Sequence, residues 1–138
     1  MPRKSSLKTL RLKAWKACSQ YIRQFYSDNR GWTVCYTCGV AGEWKSMDAG
    51  HAMPGRSNSV LCDVEILRCQ CKTCNIFKRG QHHIFAGKLI KENGLEWWEK
   101  KLSDSRKIVK YTRDDYIKLA ESFTFKTQQL SVEKRSLN

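Results

Sequence analysis

The sequence predicts an α+β chain: a small metal-stapled core of short strands and a helix, with further α-helices on either side. Three observations predict it. Two Cys-x-x-Cys pairs, Cys35–Cys38 and Cys71–Cys74, bracket short strand-forming runs. Apolar residues at helical spacing precede the first pair and follow the second. The 138 residues suffice for one domain whose core is adequate but not generous, so a structural metal would add to it.

The elements follow in chain order. Residues 1–30 make up the N-terminal unit, a basic amphipathic helix over residues 7–27, with Leu7, Leu10, Ala14, Ala17, Cys18, Tyr21, Ile22 and Phe25 recurring at three- and four-residue steps. Asp28-Asn29-Arg30-Gly31 stops it. Residues 31–94 are the core. Gly31 to Gly42 gives a short strand and a knuckle around the first cysteine pair, and Trp44 to His51 a strand entering a turn. Pro54-Gly55-Arg56-Ser57-Asn58-Ser59 is a loop by composition. Val60 to Arg68 supplies a second strand, Cys71 to Lys78 opens a helix, and Asn93-Gly94 ends the next helical segment. Residues 95–130 are a helical extension. One of the adjacent Trp97 and Trp98 packs inward, and Thr112-Arg113-Asp114-Asp115 forms a capping box with Asp in place of Glu. Residues 131–138 are a polar, frayed tail.

Composition narrows the partner. A net charge of +13, from 26 Lys and Arg against 13 Asp and Glu, points to a polyanion, and nucleic acid fits better than a membrane surface. No apolar run is long enough to span a bilayer. The start, Met1-Pro2-Arg3-Lys4, is not followed by the apolar segment of a signal peptide, so a reducing cytoplasm is expected. There an odd seven cysteines make poor disulfide material, and those at regular spacing are better used for metal. Zinc takes four sulfur ligands in a tetrahedron, and Cys35, Cys38, Cys71 and Cys74 are the obvious set. Cys69 could compete through Cys69-x-Cys71. Cys18 and Cys62 read as small buried apolar residues.

Inside the staple sits His51, after the small-residue turn Ala49-Gly50. Phosphodiester hydrolysis needs a base to activate water and a divalent ion with oxygen ligands. His51 can be the base, Asn75 offers a carbonyl oxygen, and Asp48 offers a carboxylate.

Cys-x-x-Cys, then Asp48-Ala49-Gly50-His51, then Gln70-Cys71-x-x-Cys74-Asn75 and Gly80, resembles the NinG/Rap family of phage recombination endonucleases. Trp15-Lys16 with Tyr21-Ile22-Arg23, Leu89-Ile90 through Gly94-Leu95, and Thr112-Arg113 through Leu119-Ala120 are similar to that family's flanking helices, so the likeness covers most of residues 10–125. The arrangement is also similar to phage endonuclease VII, of the His-Me finger (HNH) superfamily. The resemblance implies a ββα-metal core, with His51 on a hairpin and Asn75 on a helix. It implies a catalytic Mg²⁺ or Mn²⁺ beside the structural zinc, and branched DNA such as Holliday junctions or D-loops as substrate. Many enzymes of that superfamily carry an acidic ligand directly before the base. Here Gly50 stands there, leaving Asp48, or Asn75 with phosphate and water, to hold the ion. A middle asparagine is not evident, since Ile66 sits near its expected place and Asn58 falls early. His82 and His83 could approach the metal or contact phosphate.

Basic residues crowd this region. Arg56 could hold a phosphate or the leaving group, and Arg68, Lys72, Lys78 and Arg79 could grip backbone phosphates, joined by Lys13, Lys16 and Arg23 on the first helix. Paired cuts at a junction suggest a homodimer. Two other readings share these residues: a sequence-specific HNH nicking enzyme, and a non-catalytic zinc module that binds DNA or RNA.

Overall fold

A computed structural model describes residues 3–55 and 57–137. Helix α1 spans Leu7–Phe25, and the Ser6 hydroxyl caps it by accepting from the Thr9 N–H. A hairpin of β1 (Trp32–Val34) and β2 (Ala41–Glu43) carries the first cysteine knuckle at its tip. A 3₁₀ turn, Trp44–Ser46, leads into β3 (Met47–His51). Strand β3 pairs antiparallel with β4 (Leu67–Cys71), with Met47 opposite Cys71 and His51 opposite Leu67. A π turn over Thr73–Phe77 follows, then α2 (His82–Asn93), α3 (Leu95–Ser105) and α4 (Arg113–Ser136).

The β3–β4 hairpin lies between two helical pairs. Ala49 and Leu67 pack with Cys18 and Ile22 of α1 and Phe123 of α4. Beyond the hairpin's His51 end, Ala52, Met53, Val60 and Ile66 pack with Phe85 and Leu89 of α2 and Trp98 of α3. Trp98 is the inward member of the tryptophan pair, and Trp97 stays half-buried, as expected. Burying each of these large side chains contributes about 1.5–3 kcal/mol.

Three expectations need correction. The second strand of the core begins at Leu67, not Val60. Asp63 caps a 3₁₀ turn over Val64–Ile66 by accepting from the Glu65 N–H, so Val64 and Ile66 serve a turn. The segment from Cys71 does not open an α-helix. Its π turn stops at Lys78, and Arg79, Gly80 and Gln81 all take positive φ (52°, 91° and 48°) before α2 starts. Finally, residues up to Ser136 are helical, so the tail is an extension of α4. The Lys134 ammonium reaches back to the C-terminal end of α1, donating to the carbonyls of Gln24 and Ser27 and, at 2.9 Å, to the Ser27 hydroxyl. A cation at a helix C-terminus is favourable there. The capping box of α4 is present in full: the Asp115 N–H donates to Thr112 Oγ1 (3.1 Å), and the Thr112 N–H to Asp115 Oδ2 (2.8 Å).

Candidate active site

The cysteine knuckles close first. After β1 the chain folds back through Gly39 at φ +80°, where the Gly39 N–H donates to the Cys35 carbonyl at 2.8 Å. Cys71 ends β4, and Cys74 lies in the π turn. The four sulfurs of Cys35, Cys38, Cys71 and Cys74 lie within 4.8 Å of one another, and the Cys38–Cys71 separation is 3.7 Å. Zn–S bonds of about 2.3 Å in a tetrahedron require sulfur separations of about 3.8 Å. The set therefore fits a zinc ion and could hold one. Their acidities diverge. Burial opposes the Cys35 thiolate, but hydrogen bonds from Thr37 and nearby backbone N–H groups outweigh it and bring Cys35 down to about 6. Burial pushes Cys71 up to about 12. Cys69 stays out of the cluster. It is buried, and its thiol faces the Ile22 and Arg23 carbonyls of α1.

Gln70 joins the staple to the neighbouring pocket. Its side chain is fully buried, and Nε2 donates to the Gly80 carbonyl (2.9 Å) and to Thr37 Oγ1 (3.1 Å). Oε1 lies over Gly50, where an added Cβ would meet it at 1.8 Å. This explains the glycine before His51: the space an acidic side chain would need is filled by Gln70.

A shallow pocket of about 150 Å³ opens beside this brace, lined by His51, Asn75, Arg79 and His82, with Met53 to Gly55 and Gly80 completing it. Strand β3 delivers His51, the π turn that holds Cys74 delivers Asn75, the positive-φ segment delivers Arg79, and α2 opens on His82. Three of these side chains are anchored from behind. Nε2 of His51 is 3.0 Å from the Leu61 carbonyl. A carbonyl only accepts, so Nε2 carries the proton and the neutral ring keeps its lone pair on Nδ1. His82 Nδ1 is 3.2 Å from the Ala52 carbonyl, which by the same logic puts its lone pair on Nε2. Asn75 Nδ2 donates to Asp48 Oδ2 (3.1 Å), and that bond fixes which end of the amide is oxygen. The indole of Trp15 on α1 stacks on the His51 ring, with centroids 5.0 Å apart and planes at 23°.

The other residues singled out in the sequence are dispersed. Asp48 does not line the pocket. It stands behind Asn75 and pairs with Lys72 Nζ at 2.8 Å. His83 is exposed on α2 and does not line the pocket either. Arg68 lies over the Tyr26 and Tyr36 rings and donates to the Leu67 carbonyl, so it is occupied with packing. Arg23 sits over the Trp44 ring and donates to Ser19. Lys13, Lys16 and Lys78 are exposed. Arg56 lies outside the described residues. Asn58 is a structural tie, accepting from Arg11 (3.3 Å) and the Tyr116 hydroxyl (3.1 Å), and the Leu61 carbonyl supplies the support for His51. A main-chain support leaves no residue-type signature, so sequence reasoning missed it. It also missed Trp15 and Gln70 as supports of the site, although both stand in the motifs quoted above.

A family model described as "NinG: Bacteriophage Lambda NinG protein" matches residues 2–133, which takes in both cysteine pairs, His51 and Asn75. No curated protein and no solved structure matches the chain.

Proposed function

This chain belongs to the NinG family, and from that premise we propose that it is a divalent-metal-dependent endonuclease that hydrolyses phosphodiester bonds in branched DNA, such as Holliday junctions or D-loops. Family membership suggests a role in phage recombination. The observation that carries the enzymatic reading is the shared pocket of His51, Asn75, Arg79 and His82, which Gln70 joins through Gly80 to the turn region of a four-cysteine cluster.

In this reading zinc on Cys35, Cys38, Cys71 and Cys74 is structural, because four thiolates leave no open position for substrate. His51 is the general base. Its Nδ1 lone pair takes the proton from the attacking water, while Leu61 holds the opposite nitrogen. Arg79 contacts a non-bridging phosphate oxygen. Asn75 Oδ1 and His82 Nε2 are the atoms that would hold a Mg²⁺ or Mn²⁺ ion. When bound, such an ion would supply charge neutralisation at the phosphate. Asp48 holds Asn75 in register as an outer partner. The charge of +13 favours a polyanionic substrate, with Lys13, Lys16 and Lys78 available to phosphates outside the pocket.

One observation favours a second reading, a zinc module that binds nucleic acid without cutting it. Among the described residues, the four cysteines form the one group of three or more His, Cys, Asp or Glu close enough to share an ion. The zinc-loaded protein, incubated with a labelled four-way junction with and without Mg²⁺ or Mn²⁺, separates the two. Incision that appears only with the added divalent ion supports the endonuclease. Tight binding with no incision under any divalent ion supports the module. Incision of linear duplex at the same rate would replace branch selectivity with sequence-specific nicking.

A further inference from the structure

We propose that Trp15 is a positioning residue for His51, and that the N-terminal helix is thereby part of the reactive apparatus as well as of the core. The inference rests on the reading of His51 as the base.

An imidazole hangs from the backbone on two torsions, and the second is broad. The hydrogen bond from Nε2 to the Leu61 carbonyl (3.0 Å) fixes one ring atom. A single bond at Nε2 positions that atom more tightly than it does the plane of the ring. A flat contact on one face bears on that plane directly. The Trp15 indole provides such a contact, in an offset stack with centroids 5.0 Å apart and planes at 23°. The carbonyl therefore sets the tautomer and the indole sets the plane. Together they determine where the Nδ1 lone pair points.

The placement of Trp15 suits the task. It is half-buried on α1, whose neighbouring turns are anchored by the fully buried Ala14 and Cys18. Arg11, one turn earlier, bonds Asn58 of the loop that leads to Leu61. One helix thus braces both the ring and the segment bearing its carbonyl partner.

The test uses the full-length zinc-loaded chain, a labelled four-way junction and Mg²⁺. Trp15→Phe keeps an aromatic face, whereas Trp15→Leu and Trp15→Met keep apolar volume without one; with two ringless variants, one that fails to fold does not remove the test. In the ringless variants single-turnover cleavage is expected to fall by about 10- to 100-fold, while junction affinity stays within about twofold. Trp15→Phe should recover most of the rate. In parallel, the His51 ring protons, from one of only three histidines, should lose the upfield ring-current shift in the ringless variants without DNA present. Cleavage at the wild-type rate in the ringless variants, an equal loss in Trp15→Phe, or unmoved His51 ring signals would overturn the proposal. If the wild-type protein cuts nothing, the endonuclease reading fails by itself, and the His51 ring signals alone decide whether Trp15 holds the ring.

Discussion

The cysteine staple and the pocket beside it sit within one short stretch of chain but are built on opposite plans. The staple brings together four cysteines from two local motifs, and their sulfurs gather within 4.8 Å, so they could hold a zinc ion among themselves. The pocket uses unlike side chains: two histidines, an asparagine and an arginine. In three of them one atom is held from behind, by the Leu61 carbonyl, the Ala52 carbonyl or the Asp48 carboxylate. All three of these residues line the pocket. A site that completes its own shell reads as structure, and one that anchors only the back of each side chain reads as a place for something to bind.

That contrast can be broken first at the staple. Cys71→Ser removes a ligand that also ends β4, and a structural zinc contributes on the order of 10 kcal/mol to folding. The variant should lose its bound zinc and the cooperative unfolding transition together, as measured by metal content and thermal melting. A zinc-free variant that melts like the wild type would remove the staple from the account.

Gly50→Asp tests the boundary between the two regions. The added Cβ meets Gln70 Oε1 at 1.8 Å, and relieving such overpacking costs about 1–3 kcal/mol. A lower denaturant midpoint is expected, with no gain in metal-dependent cleavage. Higher activity would mean that an acid at this position is a missing ligand.

Asp48→Asn probes the back of the pocket. It weakens the support of Asn75 and releases Lys72, so cleavage should fall by about 10- to 100-fold with zinc content unchanged. An unaltered rate would mean that Asn75 needs no outer partner. The smallest effect should come from Thr112→Ala, which removes the α4 cap and touches no residue of the staple or of the pocket lining. It should cost about 1 kcal/mol in chemical denaturation and leave the cleavage rate unchanged.

Much of the staple and the outer helices was legible in the sequence. Cys-x-x-Cys spacing is a local constraint, and the Thr112–Asp115 box is written in four consecutive residues. His51 and Asn75 could be named because they stand beside those local motifs. What was not legible depends on contacts between distant segments. The strand-forming Val64 and Ile66 serve a turn because Asp63 caps it. The polar residues after Leu130 stay helical because Lys134 finds the end of α1. The positive-φ run at Arg79, Gly80 and Gln81, which presents His82, has a glycine only at its centre. Gln70 and Trp15 carry no pattern of their own, and their roles appear only once β4 and α1 are packed against β3.

On the proposed reading, His51 performs chemistry inside a frame built by the cysteines. The most direct test compares wild-type protein with His51→Ala on a labelled four-way junction in Mg²⁺, following binding and incision in the same samples. Equal zinc content, affinity within about twofold and a loss of incision of at least about 100-fold are expected. Undiminished incision by His51→Ala would contradict that reading.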